Sequence, residues 1–266
     1  MDGGKDLRIG VIGAAGWLGG ALAGAALDAG IVHPQNLALS FRSRKPERFR
    51  EAFWTDDNQT LADRSDVILV CVRPGDWRAL KVNAKGKLLI SVMAGIPLGA
   101  LRSHHQTDRV VRSLPNAAAE VGRSYTPWVP TATVSEADRA IVRTLFGACG
   151  LQDELKCESD IDYFTGLSGA GPAFPALLAD AMMQDAVSRG IPAEIARRCV
   201  NAVIVGAGRL LEKREACPSE TLKTFLAYQG TTAAAIEAMR AAGFEASIAR
   251  GLTAAFAASA KLGDAG

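Results

Sequence analysis

Aromatic side chains are scarce, at 6% of the chain, which argues against a ring-lined platform for sugars or bases. An excess of one charge sign is also missing. Lys plus Arg number 30 and Asp plus Glu 28, leaving +2, so there is no footprint for nucleic acid or an anionic membrane. The histidines are His33, His104 and His105, too few and too scattered for a His-rich metal site, and no metal is expected. His104 and His105 read as part of an exposed polar turn. The five cysteines, Cys71, Cys149, Cys157, Cys199 and Cys217, stand far apart without a CxxC pair. That excludes a zinc knuckle or a thioredoxin-type pair, and most are expected as buried small hydrophobes in a reducing compartment. No apolar run reaches the roughly 18 residues of a membrane-spanning helix. The N-terminal segment enters a strand without the apolar region of a signal peptide. The expectation is a cytoplasmic protein with no nucleic-acid or membrane partner.

What the chain does have is small residues and apolar runs: 27 glycines and 48% hydrophobic residues in 266 positions. At about 150 residues per domain this length suggests one or two domains. Residues 7–12, 37–41, 67–72, 87–93 and 109–113 are short apolar runs, with a less certain element over 49–54. Residues 19–29 between the first two read as a small-residue helix. Such alternation argues for βαβ units and a doubly wound parallel sheet. Ser135-Glu136-Ala137-Asp138 reads as a capped start of a helix running to about Cys149. From Ala173 onward the patterns are helical: 173–189, 193–211, 219–227, 231–242 and 245–262, with Gly190, Gly243 and Gly263 at helix stops. The expected fold is α/β: an N-terminal Rossmann-type sheet domain over 1–157 and an all-helical domain over 158–266.

The first apolar run ends in Gly13-Ala14-Ala15-Gly16-Trp17-Leu18-Gly19-Gly20. Glycines there permit a tight turn and close approach of backbone to a pyrophosphate, which the helix N-terminus then faces. The spacing is GxxGxxG, and its context of strand before and helix after points to nucleotide binding. An NAD site carries an acidic residue at the end of the second strand. Here that strand ends Ser40-Phe41-Arg42-Ser43-Arg44-Lys45, with no carboxylate before Glu47. A hydroxyl and several cations suit a 2′-phosphate, so NADPH is favoured over NADH. No Walker sequence and no GxSxG elbow is present. Val72-Arg73-Pro74, Ala94-Gly95 and Leu114-Pro115-Asn116 follow further strands and would line one edge of a single crevice. Trp17 would either crowd the nicotinamide or pack beneath the loop.

The chain resembles the pyrroline-5-carboxylate reductases, which make proline with NAD(P)H. The similarity runs through Ile9–Gly20, Ser40-Phe41-Arg42, Asn58, Ser65-Asp66-Val67-Ile68 with Val72-Arg73-Pro74, and Arg112-Ser113-Leu114-Pro115-Asn116. Its most specific stretch is Thr165-Gly166-Leu167-Ser168-Gly169-Ala170-Gly171-Pro172-Ala173-Phe174, followed by Gly230-Thr231-Thr232. The resemblance implies a helical domain that interlocks with a second subunit as a homodimer or larger assembly. It also implies hydride transfer to a cyclic imine. It assigns Ser168, Gly169, Asp180, Gly230, Thr231 and Thr232 to the substrate, with Thr232 nearest the imine nitrogen. To the cofactor it assigns Gly13, Ala14, Ala15, Gly16, Trp17, Leu18, Ser40, Arg42, Ser43, Asn58, Val72, Arg73, Pro74, Ala94, Gly95 and Asn116.

The chain departs from the family's pattern at identifiable points. Its Gly loop has one extra residue, and Trp17-Leu18 replaces Asn-Met. Arg73 replaces Lys, Leu114 replaces Met, and Asp180 stands where Glu is frequent. Ala227-Tyr228-Gln229-Gly230 replaces Ser-Pro-Gly-Gly. Imine reduction needs alignment and exclusion of water more than a strong base. Hydroxy-acid dehydrogenases of similar plan need a catalytic Lys or His, whereas Lys213, Lys223 and Lys261 read as solvated helix charges. Tyr228 would donate a proton, stack on substrate or simply close the loop. Two alternatives to pyrroline-5-carboxylate remain: a six-membered or thiazoline imine, or a non-catalytic NADPH-binding protein.

Overall fold

Five short runs of branched apolar residues fill the centre of one sheet. In the computed structural model, which describes residues 7–214, 217–227 and 229–264, they are β1 (Ile9–Ile12), β2 (Leu37–Ser40), β4 (Val67–Val70), β5 (Leu88–Ser91) and β6 (Val110–Ser113), each buried along its whole length. The short strand β3 (Phe53–Thr55) pairs with β2 at one edge. At the other edge lie β7 (Ser124–Pro130) and β8 (Gly150–Glu154), giving the order β3-β2-β1-β4-β5-β6-β7-β8. All neighbours are parallel except β6 and β7.

Because alternate strand residues face opposite ways, the sheet feeds two separate cores. Ile9, Val11, Val67, Leu69, Leu88 and Ile90 join Leu22, Ala23 and Ala26 of helix α1 (Trp17–Asp28) and Phe146 of helix α4 (Glu136–Gly147). Ile12, Ile68, Val70 and Leu89 meet Leu61 of α2 (Asn58–Asp63), Leu101 of α3 (Leu98–His105) and Ile161 of α5 (Glu158–Phe164). Helix α4 begins with the expected cap. The Ser135 hydroxyl accepts the Asp138 N–H at 3.2 Å, and the Asp138 carboxylate accepts the Ser135 N–H at 3.0 Å.

One π-helical turn (Thr165–Gly169) follows α5. Beyond it come α6 (Ala173–Ser188), α7 (Ala193–Arg214), α8 (Pro218–Ala227), α9 (Thr231–Ala241) and α10 (Phe244–Asp264). Contacts divide the described chain into two compact units, one ending at Ala170 and including Thr253 onward, the other spanning Gly171–Leu252. In the second unit α6 packs on α7, and α8 on α9.

Several sequence expectations are corrected. The uncertain element over 49–54 narrows to β3. The strands β7 and β8 were not expected: Pro127 and Pro130 interrupt the first, and the second is polar and exposed at the sheet edge. His104 and His105 sit on α3 rather than in an exposed turn, and Gln106, at φ 54°, ends that helix in the left-handed region. His105 is fully buried with Nδ1 against the Val82 carbonyl at 3.1 Å. The His104 ring packs against Trp77, its centroid 5.0 Å away. The cysteines divide differently too. Cys149 is buried and Cys71 half-buried, while Cys157, Cys199 and Cys217 are exposed.

Candidate functional site

In an open α/β sheet the loops at the carboxyl ends of the strands form the ligand crevice, centred where the strand order reverses. Here that point lies between the neighbours β1 and β4, with β2 on the far side of β1. Gly13, at φ 82°, turns the chain out of β1 there. A Cβ at this position would lie 2.7 Å from the Cys71 carbonyl oxygen, which follows β4. No other side chain fits this position without moving backbone.

The loop beyond is held by named bonds. The Gly13 N–H donates to Ser40 Oγ at 3.0 Å, and the Ala15 N–H to the Ser40 carbonyl at 3.3 Å. The Gly16 N–H closes a turn on the Gly13 carbonyl at 2.9 Å. These bonds absorb the extra residue before α1 begins at Trp17. The first-turn N–H groups of α1 have no intrahelical acceptors and carry the positive end of the helix dipole. A narrow glycine turn followed by such donors fits a dinucleotide pyrophosphate.

The second strand ends beside this loop. Ser40 is buried, whereas Arg42, Ser43, Arg44 and Lys45 are exposed. Arg42 lies 3.5 Å from Asp76 of the short turn after β4. A pair this exposed adds little to stability, which leaves the guanidinium available to a phosphate. Asn58 opens α2, half-buried, next to the Asp57 cap. Arg73 is exposed, and Val72 and Pro74 are half-buried. Ala94 is half-buried and Gly95 buried after β5.

Asn116 is engaged at both ends of its side chain. Its Oδ1 accepts the Ala118 N–H at 2.9 Å, and its Nδ2 donates to the Ser168 carbonyl at 3.0 Å. It therefore ties the loop after β6 to the π-helical turn. Beneath that turn Arg112, 2% exposed, pairs with Glu158 at 3.1 Å and Asp162 at 2.5 Å. Ser259 Oγ donates to Asp162 at 3.2 Å and lies 3.2 Å from Thr165 Oγ1. The Ser168 hydroxyl donates within the turn to the Phe164 carbonyl at 3.1 Å. A Cβ on Gly169 would lie 3.0 Å from Leu114 Cδ2.

Asp180 and Gly230–Thr232 belong to the second unit. Gly230, at φ 82°, caps α9, and Thr231 and Thr232 are its exposed first residues. Gln229 beside them also has φ 54°. Asp180 is exposed on α6, 3.4 Å from Gln184. Tyr228 lies outside the described residues. Lys213, Lys223 and Lys261 are exposed, as expected for solvated charges.

Trp17 neither packs beneath the loop nor lies buried: it is 58% exposed, and its indole N–H donates to Glu120 at 2.8 Å. Sequence reasoning passed over Glu120, Asp76 and Arg48. Arg48 donates to the Ala14 carbonyl at 2.6 Å and to the Gly16 carbonyl at 3.0 Å. Its one sequence signal was its place just beyond the basic turn. At Cys71, which follows β4, burial and then the nearby Cys149 push the thiol up to about 12, which favours its protonated form.

Comparison with known proteins places this geometry. Residues 8–95 match the family model described as NADP oxidoreductase coenzyme F420-dependent, and residues 158–262 match that described as pyrroline-5-carboxylate reductase dimerisation. A curated pyrroline-5-carboxylate reductase from Thermus thermophilus is 32% identical over 85% of this chain and 87% of its own. One from Arabidopsis thaliana is 29% identical over 94% of each. A crystal structure of Plasmodium falciparum pyrroline carboxylate reductase with NADP bound superposes with a TM-score of 0.85. It is 26% identical and covers 97% of this chain and 98% of that one.

Proposed function

The chain belongs to the pyrroline-5-carboxylate reductase family, and from that membership we propose that it reduces 1-pyrroline-5-carboxylate to proline with NADPH. The observation that carries the reading is the Gly13–Trp17 turn at the β1/β4 switch point, flanked by a hydroxyl and an arginine where an NAD site would place a carboxylate. NADPH, when bound, supplies hydride to the imine carbon. The N–H groups opening α1 hold its pyrophosphate, and Arg42, with Ser40 and Ser43 in the same turn, meets the 2′-phosphate. Val72–Pro74, Ala94-Gly95 and the Asn116 loop set the walls of the nicotinamide end.

The substrate half rests on the second anion grip. Gly230 frees the start of α9, so the N–H groups and hydroxyls of Thr231 and Thr232 bind the substrate carboxylate. Thr232 stands nearest the imine nitrogen. The resemblance also assigns Ser168, Gly169 and Asp180 to the substrate. None of these groups must act as a strong base, because an imine nitrogen is readily protonated and the protein's task is alignment.

The helices of the second unit leave apolar side chains uncovered. Leu177 is 71% exposed and Val205 62%, and α6, α8 and α9 bury none of their residues. A second copy of the chain covering this surface, in a reducing cytoplasm, belongs to the same proposal. Among the described residues no helix is long and apolar enough to cross a membrane.

The altered loop at 227–230 supports a second reading, a different imine ring, because Gln229 places an amide where the family's pattern has glycine. NADPH oxidation followed at the nicotinamide band, on five-membered, six-membered and thiazoline imino acids, separates the two. Preference for the five-membered ring is expected. Preference for another ring would overturn the proline assignment, and tight NADPH binding with no turnover would overturn the enzyme.

A further inference from the structure

The extra residue of the Gly loop poses a problem that Arg48 answers. Inserting one residue into a pyrophosphate turn adds one peptide unit, whose carbonyl and N–H must point somewhere. Among the described residues every peptide bond is trans, so each C=O points opposite to the N–H of the next residue. Fixing a carbonyl therefore aims the following N–H. Arg48 fixes two carbonyls, Ala14 at 2.6 Å and Gly16 at 3.0 Å. The first directs the Ala15 N–H away, onto the Ser40 carbonyl, so the inserted peptide is spent inside the protein. The Gly16 carbonyl also accepts the Gly20 N–H at 3.1 Å, so Arg48 reinforces a direction the helix already favours, and the Trp17 N–H points the opposite way, out of the start of α1. Two carbonyl oxygens that would otherwise add negative potential beside a diphosphate are bound to a cation.

Gly20 makes room for this arrangement. A Cβ there would overlap the Arg48 guanidinium. The cation thus lies along the first turn of α1, in space that only a glycine leaves open.

We propose that Arg48 is a positioning residue for the cofactor: it sets the direction of the pyrophosphate-binding N–H groups in this lengthened loop. The proposal rests on the NADPH reading above. It differs from the assignment of Arg42 in a measurable way. Arg42 addresses the 2′-phosphate, which only NADPH has, whereas Arg48 serves the pyrophosphate, which NADPH and NADH share.

The test compares the full-length wild type with Arg48→Ala, Arg48→Lys and Gly20→Ala. Affinity for each dinucleotide is read from nicotinamide fluorescence, and KM and kcat from imine reduction. Arg48→Ala should weaken NADPH and NADH equally, by about tenfold, with kcat within about twofold of wild type. Arg48→Lys keeps the charge without the fork and should recover part of the loss. Gly20→Ala displaces the guanidinium without deleting it and should copy Arg48→Ala. The double variant should then be no weaker than either single one. Unchanged affinities, a loss confined to NADPH, or a fall in kcat at constant KM would each overturn the proposal. Should Arg48→Ala fail to fold, Gly20→Ala and Arg48→Lys decide by the same readouts. A wild type that binds neither dinucleotide overturns the NADPH reading itself. A wild type that binds both, alongside indifferent variants, overturns only the role of Arg48.

Discussion

Replacing Gly13 by alanine separates two costs that are usually confounded. The first is backbone: φ is 82° at Gly13, and an L-residue held there costs about 1–2 kcal/mol. The second is collision. The added Cβ would lie 2.7 Å from the Cys71 carbonyl oxygen and 3.0 Å from its carbon, both backbone atoms. That backbone is anchored, since the Cys71 N–H donates to the Ile12 carbonyl at 2.9 Å where the β1–β4 ladder ends. Relief therefore requires opening a buried hydrogen bond, worth about 1–3 kcal/mol when its groups are left unpaired. Together the two give roughly 2–5 kcal/mol, or about 5–15 °C in Tm for a chain of this size. Gly30→Ala is the control. Its φ is 66° but no atom lies within 4 Å of the new Cβ, so only the backbone cost of about 1–2 kcal/mol applies. Calorimetry on both variants gives the collision by difference, and an NADPH titration should weaken more than about tenfold in Gly13→Ala alone. Equal melting temperatures for the two would refute the argument, because contact with Cys71 would then contribute nothing.

Arg42→Ala should raise the KM for NADPH about tenfold while leaving that for NADH in place; equal effects on the two cofactors, measured in parallel, would refute the 2′-phosphate role. His105 is held below the usual histidine value by burial, against the opposing bond to Val82, with His104 adding to the depression. Val82 offers only an acceptor, so Nδ1 carries the proton and Nε2 is buried without a partner. Protonation is thus easier in the unfolded chain: stability is complete above about pH 6.5 and falls as pH drops toward the folded value. Melting curves from pH 7.5 to 5 should slope in wild type and flatten in His105→Asn. Trp17 is the exposed indole at the loop, so NADPH binding should quench emission in wild type and much less in Trp17→Phe. Gln229, at φ 54°, should give a variant Gln229→Gly stabilised by up to about 1 kcal/mol, visible in denaturant melts; an unchanged or lower midpoint would contradict that.

The buried strands were legible because burial on both faces leaves an unbroken apolar run, as in Val67–Val70. The capped start at Ser135 was legible because a capping box is a local four-residue event. The edge was not. β8 is exposed and polar, so its membership in the sheet depends on its partner β7 and not on its own residues. The histidine pair misled for a related reason: polar letters suggested a turn, yet tertiary packing buries His105 against Val82. At the site, Gly13 could be read from its place after a strand. Arg48 could not, because its two acceptors are backbone carbonyls of residues far away in sequence, and a carbonyl has no letter.

That last point explains how a chain with an inserted loop residue and a rewritten substrate loop keeps the family's plan. Both anion grips, as proposed, draw chiefly on the main chain. One is the start of α1 behind Gly13; the other is the start of α9 behind Gly230. At Gly13 and Gly230 it is the missing side chain that matters, so neighbours such as Trp17, Leu18 and Gln229 are at liberty to diverge. The half-buried Cys71 and the buried Cys149 have thiols pushed up to about 12 and about 11, mainly by burial, and stay neutral. An enzyme whose chemistry needed a tuned base would instead have to keep a specific side chain in the crevice. On the proposed reading what must persist is the direction of a few N–H groups, and a sequence can meet that demand in more than one way. The pairing of a lengthened turn with Arg48 and Gly20 is one such way.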